Sequence, residues 1–432
     1  MPIDLEGPLR SPGRLRKVAL GIYLLALLVR FVFLYGFHRV AYTRPEPVRI
    51  AISLARNGRF ADPYVLPTGP TAHSAPLYPF LIAPIYKFWG DTRTADSVRF
   101  GLAALAASAE YALLPYVSSA LAMGTLPGVV AGIGGAVLPL HFWQECSGEF
   151  ETAWIALFLQ LSVIRFVRWI RAPSFQSGGI RTGLWCGFGI LLAPNLLLAF
   201  CGFTVVAAVV LWRHFPPGAI RWSAAVGLTA IALILPWTIR NHQVIGGWFL
   251  VRDNFGLELN SSNNDYASPD SVTSHHTPFI RVREPGGGIF AASEVKRKGE
   301  LQFQRDSRRE ALAWIRGHPV RFVQLIGARM RNFWFPIGLP PRSALALGIV
   351  AVAGIAGLLV LWRWNRLAAM ILGSLLAFYP AVYYVVKNNL RYQHPIYWVL
   401  LLVSTAMLLR FLGWRRAELR KPDVMIDVET RL

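Results

Sequence analysis

Ten apolar stretches, several of them near or beyond the length that crosses a bilayer, constrain this chain more than any other feature. They cover residues 18–37, 98–121, 126–142, 150–170, 182–194, 196–212, 219–237, 344–362, 367–386 and 395–412. About 18–20 consecutive apolar residues mark a membrane span, and a backbone in hydrocarbon must satisfy its own hydrogen bonds. The expected fold class is therefore an all-α polytopic membrane protein, with about ten transmembrane helices and two outer-face segments. Composition agrees: 54% of residues are hydrophobic and 16% charged, with a mean hydropathy of +0.42, which excludes an ordinary soluble domain. The pair 182–194 and 196–212 can also be read as one helix kinked at Pro194.

Basic residues orient the chain. A cytoplasmic N-terminus puts Arg10, Arg14, Arg16, Lys17, Arg165, Arg168, Arg171, Arg213, Arg221, Arg363, Arg366, Arg415, Arg416, Arg420 and Lys421 inside. That is what the positive-inside rule favours. Merging the doubtful pair would flip the later half and break the pattern, which supports two spans. Both termini are then cytoplasmic, in an inner (plasma) membrane. The organisation reads as a tail (1–17), a first helix (18–37), an outer loop (38–97), a helical bundle (98–237), a second outer segment (238–342), C-terminal helices (343–412) and a tail (413–432). Topology also explains much of the net charge of +21, so no nucleic-acid partner is expected. No small-residue cleavage site follows the first apolar stretch. Cys146, Cys186 and Cys201 read as small apolar filler rather than a disulfide framework.

The loop from Tyr42 to Tyr86 is where the chain concentrates chemistry. Eight prolines break it up, leaving two short helices: an amphipathic one near 47–57 and an apolar one near 77–89. Glu46 stands among Arg44, Arg49 and, downstream, His73. A carboxylate there can take a proton from an acceptor hydroxyl, or it can simply pair with Arg44 or Arg49 in water. Asp62 is the rival acid, although Asp before Pro commonly serves a turn.

Basic residues elsewhere complete the candidate set. Arg240 and Asn241 follow the span ending at Pro236-Trp237; an Arg there either grips a phosphate or anchors in headgroups. Arg252, Asp253 and Asn254 line the same site or close a turn. Lys387 and Arg391 lie in a short outer loop that is basic on the side where basic residues are disfavoured, which favours a local anion. Glu145, Glu149 and Glu151 could hold a metal but read more readily as solvated loop acids. His275-His276 makes a weak metal pair, and Gly286-Gly287-Gly288 reads as a turn. Residues 305–334 read as a surface helix interrupted at His318-Pro319, residues 260–276 as irregular loop, and residues 421–432 as a disordered tail.

Five runs carry a resemblance: EPVRIAISLARNGRFADPY, PTGPTAHSAPLYPFLIAPIYKFWG, PWTIRNHQVIGGWFLVRDNFGLELNSSNN, EALAWIRGHPVRFVQLIGARMRNFW and RYQHPIYWVLLL. In order and spacing they resemble the polyprenyl-phosphate-dependent glycosyltransferases of the C superfold (GT-C), closest to family 39. That family includes protein mannosyltransferases and aminoarabinose transferases. The resemblance implies a polyprenyl-phosphate-linked sugar donor, a lipid, glycan or protein acceptor, and a catalytic carboxylate in the first outer loop, by position Glu46. It implies phosphate binding by Arg240 and the Lys387–Arg391 loop. It also adds Asn263 and Asn264 to the substrate-side candidates, since Ser262-Asn263-Asn264 stands where relatives carry Gly-Asn-Asn. No cofactor is evident, and a divalent metal is left open. Two other readings compete: a lipid-linked glycan flippase or transporter, and an inactive relative that binds sugar-lipid. The expectation is one outer-face cavity holding Glu46 beside Arg240 or Arg391.

Overall fold

A computed structural model describes residues 11–171, 175–212, 215–269, 273, 277–337 and 339–413. His275, His276, the predicted tail and its basic residues lie outside the described residues, as do Arg10 and Arg213.

The chain is built from helices, and every predicted apolar stretch contains one. In order they are α1 (Pro12–Phe31), α2 (Glu46–Asn57), α3 (Leu77–Trp89), α4 (Arg93–Ala120), α5 (Leu126–Val137), α6 (Phe142–Cys146), α7 (Thr152–Arg171), α8 (Phe175–Leu192), α9 (Leu196–Trp212) and α10 (Pro216–Ile245). Then follow α11 (Phe255–Ser262), α12 (Pro278–Arg283), α13 (Ile289–Lys298), α14 (Glu300–Gly317), α15 (Pro319–Trp334), α16 (Pro341–Trp364), α17 (Arg366–Phe378), α18 (Val382–Val385) and α19 (Leu390–Phe411). Seven stretches among the described residues are long and apolar enough to cross a membrane: Pro12–Gly36, Arg93–Ala120, Thr152–Arg171, Pro216–Ile245, Pro341–Trp364, Arg366–Val385 and Leu390–Phe411. The fold is all-α and polytopic.

Three boundaries differ from expectation. The stretch predicted at 126–142 yields a helix of 12 residues, about 18 Å long, too short to cross alone. Pro139 disfavours helical backbone at Leu138, which is extended at φ −79°, ψ 122°. The helix expected to stop at Trp237 runs on through Pro236 to Ile245, where Gly246 caps it at φ +84°. Arg240 and Asn241 are therefore helical rather than in a loop. The predicted irregular loop at 260–276 is helical as far as Ser262.

Small residues let the bundle close. Gly179, Gly183 and Gly187 form a ridge on α8 that packs along α10 in parallel: a Cβ would meet Ala225 from Gly179, Val226 and Thr229 from Gly183, and Ala230 and Leu233 from Gly187. Without a hydrophobic drive between helices in lipid, such close approach supplies the packing energy. A 3-residue break at Ala193–Asn195 separates α8 from α9, so the two are distinct helices.

A second, smaller core lies off the bundle. Tyr64, Leu257, Ala292, Val295 and Phe303 pack together and tie the first loop to α11, α13 and α14. The loop is clasped from two sides. Glu300 at the start of α14 accepts from Thr71 Oγ1 (2.5 Å) and from the Ala72 N–H (2.7 Å). Arg240 donates to the carbonyls of Thr71 (2.6 Å) and Phe60 (3.1 Å), beneath the rings of Phe60 and Trp237.

Two outcomes follow. Gly183→Ala puts a Cβ 2.6 Å from the Val226 carbonyl oxygen and should destabilise the chain by about 1–3 kcal/mol in thermal unfolding in detergent, whereas Gly227→Ala, with open space around it, should not. Burial raises the Glu300 carboxyl from 4.5 to about 7, against the pull of Thr71 and Ala72. A raised folded value stabilises fully below the unfolded value and is lost as pH rises through the folded one. Amide exchange at Ala72 should therefore quicken between about pH 5 and 8, and Glu300→Gln should flatten that dependence.

Candidate functional site

Glu46 opens α2, where the first-turn N–H groups and the helix dipole favour an anion. It lines two neighbouring cavities, of about 360 and 370 Å³, which share Glu46, Phe150, Glu258 and Arg391. One cavity has an apolar wall of Ile155 from α7, Leu197 and Leu198 from α9, and Val382 from α18. The other is polar and is bounded by Glu284, Gly286, Gly287 and Lys387. The Glu284–Gly288 turn lies against the acid: a Cβ on Gly286 would sit 2.5 Å from Glu46 Oε1.

Charges of both signs surround this junction. Arg391, in the first turn of α19, lies 3.7 Å over the Phe150 ring and donates to Tyr392 Oη at 2.8 Å. Its Nε is buried without a hydrogen-bond partner. Lys387 Nζ lies 3.6 Å from Glu284 and 3.2 Å from Ser261 Oγ. Arg252 lines the apolar cavity, as do Glu151 and Asn254. His73 lines it too, with Nδ1 at 2.9 Å from the Tyr64 hydroxyl; burial drops its value to about 4, so the ring is neutral.

The acids divide by their share of these cations. Burial raises Glu46, and its own backbone N–H, Arg391 and Lys387 only partly offset that. Burial raises Glu284 as well. It also acts on Glu258, but Lys387, Arg391 and Arg252 outweigh it and hold that carboxylate below its ordinary value. Burial opposes the Lys387 ammonium, yet Glu258 and Glu284 more than compensate and raise it. One carboxylate thus stays firmly ionised while its neighbour is a stronger base than usual.

The sequence candidates separate into two groups. Glu46, His73, Arg252, Lys387 and Arg391 meet at the cavities. The others serve the framework. Asp62, at φ +57°, accepts from the Gly69 N–H at 2.8 Å and closes a turn. Arg49 donates to the Arg44 carbonyl at 2.6 Å. Arg240 holds the loop as described, and Asn241 donates to the Val251 carbonyl at 2.8 Å. Asn263 accepts from Arg329 at 3.1 Å, and Asn264 donates to the Asn260 carbonyl at 2.9 Å. Arg329 also donates to the carbonyls of Ser262 and Val385, which fixes the strap carrying Lys387. Glu258 and Glu284 escaped the sequence reading as site residues, and Gly286 reads there only as part of a turn. Glu258 sits inside one of the runs that carry the resemblance, but nothing local marks it.

Glu145 also differs from expectation. It is buried, not solvated: Arg30 reaches Oε1 at 2.7 Å and Tyr111 donates to Oε2 at 2.9 Å. Glu145, Glu110 and His394 bring ligand-type atoms within 4.8 Å of one another, the one such group among the described residues. These are donor types a divalent metal takes. With both Glu145 oxygens already engaged by Arg30 and Tyr111, the group fits an internal ion network better.

No protein-family model matches the chain, and no curated protein matches it. Among solved structures it is similar to the oligosaccharyltransferase of Archaeoglobus fulgidus. That protein is seen in the apo form (TM-score 0.55), in complex with zinc and sulfate (0.53), and tethered by a disulfide to an acceptor peptide containing the NVT sequon (0.53). Identity is 13% in each case, over 91% of this chain and 49–50% of the other, so the chain spans about half the length of that enzyme. The likeness is one of fold: a polytopic all-α architecture shared over 91% of this chain.

Proposed function

We propose that this chain is an integral membrane glycosyltransferase that moves a sugar from a polyprenyl-phosphate carrier to an acceptor hydroxyl at the loop end of the bundle, the outer face. The observation that carries the reading is the meeting of Glu46 and Arg391 in a cavity with one apolar wall. A lipid tail lies along Ile155, Leu197, Leu198 and Val382, and its phosphate faces Arg391 and Arg252. The acceptor comes through the polar cavity beside Lys387 and Glu284.

Glu46 takes the proton of the acceptor hydroxyl. The freed oxygen attacks the anomeric carbon from the face opposite the phosphate. The carbon–oxygen bond to phosphate breaks, the polyprenyl phosphate leaves with the electron pair, and the anomeric configuration inverts. Arg391 and Arg252, already in position, stabilise the charge that grows on the phosphate. The family-39 likeness in the sequence runs, the position of Glu46 and the shared fold support this over a flippase, whose charges concentrate at mid-membrane.

Glu46→Gln should cut transfer from a labelled polyprenyl-phosphate sugar by about 10²–10⁴-fold while donor binding persists. Undiminished transfer would sink the assignment. Because burial raises Glu46, activity should be present at high pH and lost as pH falls, with the acid limb of kcat/KM above 4.5. Gly286→Ala forces the Glu46 carboxylate aside and should lower kcat by about 10–100-fold with thermal stability kept; Gly327→Ala, which meets nothing within 4 Å, should leave kcat alone.

A further inference from the structure

At the end of the bundle far from Glu46, a cleft of about 410 Å³ opens between α7 and α8. Arg165, Arg168 and Trp169 face it from α7, and Arg181, Thr182 and Trp185 from α8. The spacing of three and four places each set on one helix face. No carboxylate among the described residues forms an ion pair with any of the three arginines, and Arg165 Nε is buried with no hydrogen-bond partner. Arg165 lies 5.6 Å from the Trp185 ring, which holds its guanidinium toward the cleft.

Depth makes this arrangement unusual. Arg165 is six residues before the end of α7, and Arg181 is six residues after the start of α8. At 1.5 Å per residue, both stand about 9 Å inside the helix ends. For Arg165, inside the candidate span Thr152–Arg171, an unpaired charge is costly, so such a residue normally faces a partner or a polar cavity. Here Arg165 is half-buried and Arg168 and Arg181 are exposed at the mouth, so three cations converge on one cavity, which suits an anion. Basic pockets between spans suit lipid headgroups, and Arg matches phosphate with paired N–H donors.

We propose that this cleft binds a phosphate-bearing anion, either the headgroup of an anionic lipid or free phosphate, at a site separate from the Glu46 cavities. The site would add to the contacts that Trp185 of α8 already makes with Phe158 and Ser162 of α7.

The test is native mass spectrometry on delipidated full-length protein titrated with phosphatidylglycerol, phosphatidylcholine or inorganic phosphate. The expected result is retention of phosphatidylglycerol over phosphatidylcholine, weakened at least tenfold in R165Q/R181Q and preserved in R221Q/R363Q. Arg221 and Arg363 are exposed arginines at the same end, outside the cleft. R165K/R181K keeps charge and should bind at an intermediate level, which covers loss of folding in the glutamine variant. If inorganic phosphate alone raises Tm in an Arg165-dependent way and lipid is not retained, the source is free phosphate. Equal retention of phosphatidylcholine, equal loss in R221Q/R363Q, or no effect of either anion overturns the proposal.

Discussion

Balancing charge where water is scarce is the constraint on which the rest of this structure depends. At the cavities, Glu46, Glu151, Glu258 and Glu284 oppose Arg252, Lys387 and Arg391. Taking any one of these groups out of water is expensive unless an opposite charge compensates. The compensation is unequal, and the inequality carries chemistry. Glu258 draws on all three cations and stays ionised. Glu46 draws mainly on Arg391 and Lys387, both of which it shares, and so remains more basic. A uniform distribution would leave four ordinary carboxylates and no distinct base.

The same constraint explains which charges were set to structural work. Arg240 and Arg391 both stand near helix ends beside aromatic rings, and both looked fit for phosphate. Arg240 donates through Nη1 and Nη2 to two carbonyls of a proline-rich loop, those of Thr71 and Phe60. Arg391 meets rings and hydroxyls, which hold it without neutralising it. Arg30 follows the first pattern: it caps the Gly135 and Ala136 carbonyls at the end of α5 and neutralises Glu145. Local sequence does not foretell this difference, because Thr71 and Phe60 for Arg240, Phe150 for Arg391, and Gly135, Ala136 and Glu145 for Arg30 are each 100 or more residues away.

What was legible is what local physics decides. The helices at Glu46–Asn57 and Leu77–Trp89 were readable from apolar spacing between prolines, and the break at His318-Pro319 from proline chemistry. Boundaries set by packing were not: α10 continues through Pro236 to Ile245, and Glu145 is buried against Arg30 from a distant helix. Gly286 reads as part of a glycine turn in isolation. Its contact with the Glu46 carboxylate spans 240 residues, and no local pattern encodes that distance.

The first two turns of α19 connect these themes. Arg391, Tyr392 and Pro395 face the apolar cavity. On the other side of the same turns, Gln393 donates to the Phe333 carbonyl at 2.5 Å and contacts His141 Nε2 at 3.2 Å, while His394 lies 3.1 Å from Glu110. A helix this short of slack cannot rotate one face without breaking contacts on the other. The buried network therefore fixes the direction of the Arg391 guanidinium before any ligand arrives. Fixed dipoles and charges stabilise a transition state because they need no reorganisation when charge develops. In this fold the polar core beside the cavity supplies that fixity, which gives a physical reason for carrying so many ionisable groups in an otherwise apolar bundle.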